Sequence, residues 1–132
     1  MPVRIVRLGS PRTAGEGLRI GTVRRPPRGV PKPEFASRDF YDTWLPLLSP
    51  SAELLKLAQA AVAANDDKAW ADFTKRFRAE MKEPLAAQVL DLLAAMSPSS
   101  SFSVGCYCEE ESRCHRSVLR ALLAERGASI AG

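Results

Sequence analysis

Residues 24–34, RRPPRGVPKPE, set four of the ten prolines of the chain within eleven positions. Proline fixes its own φ, gives up its N–H and biases the residue before it toward extended backbone. This stretch therefore forms neither a regular helix nor an internal strand. It divides the chain into a short part with strand patterns and a longer part dominated by helical ones. The loop is stiff rather than floppy, and it presents Arg24, Arg25 and Arg28 in a defined arrangement.

Before the loop, VRIVRL (3–8) alternates apolar and basic residues as a half-buried strand does, and LRIGTV (18–23) reads as a second strand. SPRTAGEG (10–17) between them is turn chemistry. Beyond the loop, Ser49-Pro50 reads as a helix cap with proline at the first helical position, opening a helix to about residue 64. Leu54, Leu55, Leu57, Ala58 and Val62 form its apolar face. Asp66 caps a second helix to about residue 82, on which Trp70, Phe73, Phe77 and Met81 fall on one stripe and read as core. Pro84 starts a third helix with Leu85, Val89, Leu92, Leu93 and Met96 inward, broken by SPSSS (97–101). FSVGCYC (102–108) is a β-rich run, followed by the acidic connection EEESR and a helix over 114–126 ended by Gly127. ASI (128–130) adds a final short strand. Strands at both ends with helices between predict a single α/β domain over residues 1–132, a small mostly parallel sheet flanked by helices.

At 45% hydrophobic and 26% charged residues the composition is that of a globular protein. No apolar run approaches the roughly 20 residues that cross a bilayer, so no membrane association is expected. The opening MPVRIVRLGS lacks the apolar core of a signal peptide, which makes the cytoplasm the expected setting. There the three cysteines are reduced thiols rather than a disulfide framework.

Charge is uneven. Residues 1–33 hold eight Lys/Arg against Glu16 alone, while the remaining 99 carry a net charge of −3. A basic segment on a near-neutral body points to an anionic partner, either a small molecule or a nucleic acid, or is a solvated surface. No aromatics interleave with the arginines to stack bases.

CYCEEESRCHRS (106–117) gathers every cysteine and the single histidine of the chain. Cys106, Cys108, Cys114 and His115 match the ligand count of a closed zinc site. Their spacing argues against one. A single residue separates the first pair, and adjacent Cys114 and His115 on a helix point about 100° apart, so sharing an ion needs an irregular backbone. The expectation is no metal and no cofactor. A phosphatase-type loop is disfavoured too, because Ser112 and Cys114 stand where it needs an arginine. Thiol chemistry fits the layout better. Sites of open α/β folds form beyond the carboxyl ends of the strands, and Cys114 at a helix start meets the positive end of the dipole. Cys114 is then the candidate nucleophile, His115 the acid/base, and Arg24, Arg28 and Arg116 the anion-binding groups. The three glutamates work against a thiolate. Against this stand a structural role, with the cysteines packed in the core and Arg116 holding the glutamates, and a non-catalytic interaction protein with no chemistry of its own.

PRGV (27–30), WLPLLSPS (44–51), WADFTKRFRAEM (70–81) and VGCYCEEESRCHRSVLRALL (104–123) occur in the order in which they stand in one family. On them the chain resembles the YeaO-like bacterial domains of unknown function, in particular members with a Cys-His-Arg triplet. The resemblance implies an α/β fold and no established activity. Three positions depart from its pattern: Val23 stands in place of an Asp, Pro26 in place of a Trp, and Cys108 in place of a Glu, for which Glu109 is the nearest substitute.

Overall fold

The computed structural model describes residues 2–131. Its strands are β1 (Val3–Arg7), β2 (Leu18–Gly21), β3 (Thr43–Trp44) and β4 (Phe102–Cys106), and its helices α1 (Ala52–Ala63), α2 (Asp67–Glu80), α3 (Pro84–Met96) and α4 (His115–Glu125). The four strands form one all-parallel sheet in the order β1-β4-β2-β3. The fold is thus α/β, with helices flanking a small parallel sheet. β4 inserts between β1 and β2, with Val3 opposite Phe102 and Leu18 opposite Phe102 on its other edge. The C-terminal end of β4 therefore emerges between the connections that leave its two neighbours, the place where parallel sheets open a crevice.

Strand alternation divides the sheet into two faces. Val3, Ile20, Phe102 and Val104 join Leu54, Phe73, Phe77, Leu90, Leu119 and Leu123 of the helices in one continuous core. The opposite face is covered by the chain between β1 and β3: Arg19 on β2 bonds to the carbonyls of Ser10 and Asp39. A smaller core of Leu8, Val23, Tyr41, Cys106 and Cys114, with Phe35, Phe40 and Tyr107 against it, sits at the strand ends. Paired glycines admit it. A Cβ on Gly21 would meet the Tyr41 ring at 2.4 Å, and one on Gly105 would meet Leu8 and Val6 at 2.8–2.9 Å.

Local signals held where one side chain does the work. Asp66 caps α2 by accepting from the N–H of Ala69 at 3.0 Å, Pro84 starts α3, and Gly127 closes α4 at φ +80°. Several expectations need correction. The cap of α1 is Ser51, accepting from Leu54 N–H, so Pro50 precedes the helix rather than opening it. The segment 128–130 makes a single bridge, Ile130 to Val3, not a strand. The two-residue β3 had no pattern to announce it. On α3 the inward residues are Ala86, Leu90, Leu93 and Ala94, while Leu85, Leu92 and Met96 are exposed, as are Leu57 and Val62 of α1. These helices are apolar on nearly every side, so periodicity alone does not choose a face, and small alanines allow close helix approach. No helix among the described residues is long and apolar enough to cross a membrane.

Candidate functional site

β4 ends at Cys106, two residues earlier than the pattern suggested, so Cys108 lies beyond the strand and is exposed. The chain then turns through a single 3-10 turn, Glu111–Arg113, into α4. Cys114 is the cap residue of α4, with extended backbone (φ −129°, ψ 147°). The 100° divergence expected of helical neighbours therefore does not apply to Cys114 and His115, and the irregular backbone that a shared ligand would need is present.

The sulfurs converge. Cys114 Sγ lies 2.7 Å from Cys106 Sγ, Cys106 Sγ lies 3.5 Å from Cys108 Sγ, and His115 Nδ1 lies 3.9 Å from Cys114 Sγ. All three cysteines are free of disulfides. Hydrogen bonds from Cys106 and Cys114 draw the Cys108 thiol well below its ordinary range, helped by nearby His115 and Arg116 and opposed by burial. The same contacts act in reverse on the donors: the bond to Cys108 pushes Cys106 up, and the bond to Cys106 pushes Cys114 up.

His115 is 6% exposed, and its ring stands edge-on to Phe77 at 5.7 Å. Burial lowers its pKa, with the carbonyl of Thr22 acting against that, so the neutral ring dominates at pH 7. Nε2 lies 2.6 Å from that carbonyl. A carbonyl only accepts, so the ring proton sits on Nε2 and the Nδ1 lone pair turns toward Cys114. Thr22 itself is fixed to Gly105 by its N–H and its hydroxyl, which ties the histidine to the sheet.

The arginines singled out from the sequence divide. Arg116 is buried, and its guanidinium donates to the carbonyls of Val6, Cys106 and Glu109. It ties the strand ends to the turn rather than facing solvent. Arg24 donates to the carbonyls of Pro50 and Ser49, pinning the proline loop to the start of α1. Arg28 is exposed. Arg24, Arg28 and their neighbour Arg25 line a groove of about 760 Å³ whose floor includes Tyr107, Cys108 and His115. Among the described residues, Arg25 and Arg28 make neither an ion pair nor a side-chain hydrogen bond. Cys114 lies behind the sulfurs of Cys106 and Cys108 and lines a smaller apolar hollow beside Trp70 and Phe73.

Two participants were not marked by the sequence for the place they take in the groove. The Tyr107 hydroxyl donates to the carbonyl of Arg25 at 2.8 Å and holds the loop from the groove floor. Cys108 looked like a second packed strand residue, and only the early end of β4 frees it. Two of the three glutamates have partners outside the sulfur cluster: Glu109 pairs with Arg7 at 3.7 Å, and Glu111 with Arg120 through bonds of 2.5 and 2.8 Å.

Comparison with curated proteins and with solved structures found no match. The family model described as the active DUF488-N3 subclade matches residues 3–127, nearly the whole chain and the entire site. The chain accordingly belongs to the DUF488-N3 family, in its active subclade, a family of domains of unknown function.

Proposed function

We propose that this chain binds the anionic group of a small molecule at Arg25 and Arg28 and presents that molecule to the sulfur of Cys108. One observation carries the reading: the proline–arginine loop and the cysteine–histidine cluster line the same groove. Arg24 and Tyr107 hold the loop from opposite sides, so the two free guanidiniums keep their aim. The reactive sulfur is Cys108 rather than Cys114, because Cys108 is exposed and Cys114 is not. Arg116 leaves the list of anion ligands, since carbonyls already engage it. The likeness to the YeaO-like domains and a reducing cytoplasmic setting, where such thiols stay free, belong to the same reading.

A small anionic group fits the remaining charge better than a nucleic acid does. Of the cations in the basic N-terminal segment, Arg7, Arg12, Arg19 and Arg24 are engaged by the chain's own carboxylates and carbonyls. Of the four cations left over, Arg25, Arg28 and Lys32 lie in the proline-rich loop and Arg4 alone lies elsewhere, on β1, with a terminal nitrogen buried.

Iodoacetate and iodoacetamide carry the same electrophilic carbon, with and without a negative charge. On reduced, chelator-treated protein, residue-resolved labelling should modify Cys108 first. Its preference for iodoacetate over iodoacetamide should exceed that of the urea-unfolded chain by about tenfold, since a cationic cleft concentrates anions. Salt and inorganic phosphate should reduce that preference, and Arg25→Ala with Arg28→Ala should abolish it. The same preference in folded and unfolded chains would sink the reading.

A further inference from the structure

The groove reading leaves unused the convergence of soft donor atoms beneath it. The ligand atoms of Cys106, Cys114 and His115 all lie within 4.8 Å of one another and are buried. Cys108 Sγ stands 3.5 Å from Cys106 Sγ on the exposed side. Zinc–sulfur bonds of about 2.3 Å at tetrahedral angles put two sulfur ligands about 3.8 Å apart. The Cys106–Cys108 pair, at 3.5 Å, is already near that spacing, and so is the 3.9 Å between Cys114 Sγ and His115 Nδ1. The Cys106–Cys114 pair, at 2.7 Å, needs to open by roughly an ångström, which a small χ1 rotation of either side chain supplies.

The histidine is prepared for the same task. Metal-bound histidines are held by donating their second ring N–H to a carboxylate or a backbone carbonyl, and His115 Nε2 has such a partner in Thr22. That contact leaves Nδ1, the atom beside Cys114, as the lone pair. The extended backbone of Cys114 lets neighbouring residues face one point. The buried imidazole lone pair is thus turned toward the Cys114 sulfur at 3.9 Å, with Cys106 in the same cluster.

We propose that Cys106 Sγ, Cys114 Sγ and His115 Nδ1 hold a zinc(II) ion, with Cys108 Sγ as the fourth ligand on the groove side. Thiolate and imidazole donors select zinc over magnesium or calcium. Binding removes the thiol protons and replaces three crowded sulfur–hydrogen contacts with bonds to a cation. Three corners of the site are buried and the fourth opens on the groove, so Cys108 is the exchangeable ligand. This inference goes beyond the anion-binding reading and does not rest on it, because no ligand is an arginine.

The test uses the full chain, purified reduced, assayed for zinc as isolated and then titrated metal-free with cobalt(II) alone. The expected result is one equivalent bound, with intense tetrahedral d–d absorption and a sulfur-to-cobalt charge-transfer band that zinc bleaches. Cys106→Ser, Cys114→Ser and His115→Ala should each weaken binding by at least about a hundredfold, and Cys108→Ser by less. Arg25→Ala with Arg28→Ala should leave it unchanged, which separates failure here from failure of the anion site. Zinc should also raise the Tm of the wild-type protein, as any ligand of the native state does. Should a ligand variant not fold, the stoichiometry and charge-transfer band of the wild type decide alone. The inference is overturned by a weak octahedral cobalt spectrum, by unchanged affinity in folded cysteine variants, or by a Cys106–Cys114 disulfide in freshly isolated protein without metal.

Discussion

The fold buries polar side chains in two clusters built on opposite terms. In the first, Arg19 is 0% and Glu16 2% exposed, and the arginine is closed on all sides. Its Nε and Nη2 reach both oxygens of Glu16 at 3.0 Å, and Nη1 reaches the carbonyls of Ser10 and Asp39 at 2.8 and 2.7 Å. In the second, His115 has one strong bond, to Thr22, and its other nitrogen and three sulfurs face each other with weak donors and an opening onto the groove. Burial is costly for both. A cluster whose bonding capacity is used up within the chain is architecture; one with capacity left over, beside a groove, is where a ligand gains most.

The sharpest way to break this comparison is Glu16→Ala. It leaves the Arg19 guanidinium buried without its counter-charge, and breaking a buried pair in this way costs about 3–5 kcal/mol. Urea unfolding should give a large fall in midpoint at unchanged m-value. Groove labelling in the residual folded protein should be unaltered. A loss below about 1 kcal/mol would mean that the cluster is not closed and that water reaches Arg19.

That contrast was only half legible in the sequence. Arg19 reads there as one of eight cations of a basic segment, because what buries it is non-local: the crossing chain between β1 and β3 lays the carbonyls of Ser10 and Asp39 over the sheet. That Cys114 and His115 stand at the start of a helix was legible, because a helix start is a local fact. Their convergence was not, since it depends on the extended backbone of Cys114 and on a carbonyl 93 residues away. The same division runs through the elements. Asp66, Pro84 and Gly127 act within one turn and were read correctly, whereas Ser49 and Ser51 flank the same proline and local pattern does not choose between them. Nor does it choose a face of α3, where apolar residues surround the helix and tertiary packing selects the alanines.

Within the first cluster, Asp42 allows a smaller and pH-dependent test. It accepts from the Arg19 N–H at 2.8 Å and from both terminal nitrogens of Arg12 at 2.8 and 3.1 Å, but stands partly in solvent. Burial alone would raise its pKa; the Arg12 guanidinium and the Arg19 amide outweigh that and hold it below the ordinary range. A folded-state value below the unfolded one, near 3.9, gives stability that is complete above the unfolded value and is lost as pH falls through the folded value. Asp42→Asn should therefore cost about 1–2 kcal/mol at pH 7, and the gap to wild type should narrow steadily below pH 4. A gap that stays constant down to pH 2 would assign the effect to shape rather than charge.

The smallest effect is expected at Tyr41, which belongs to the same small core as Cys106 and Cys114. Its ring packs edge-on against Phe35 at 5.3 Å and lies over Gly21. Its hydroxyl is buried without a hydrogen-bond partner among the described residues. Tyr41→Phe keeps the ring contacts and removes an oxygen that gains nothing from burial, so urea unfolding should show a stability unchanged or up to about 1 kcal/mol higher. A loss of more than about 1 kcal/mol would mean that the hydroxyl has a bridging water as partner. The core around the sulfurs would then be as fully bonded as the one around Arg19. In that event the difference between the two clusters would narrow to the sulfurs and the imidazole nitrogen themselves, and the metal titration alone would separate architecture from site.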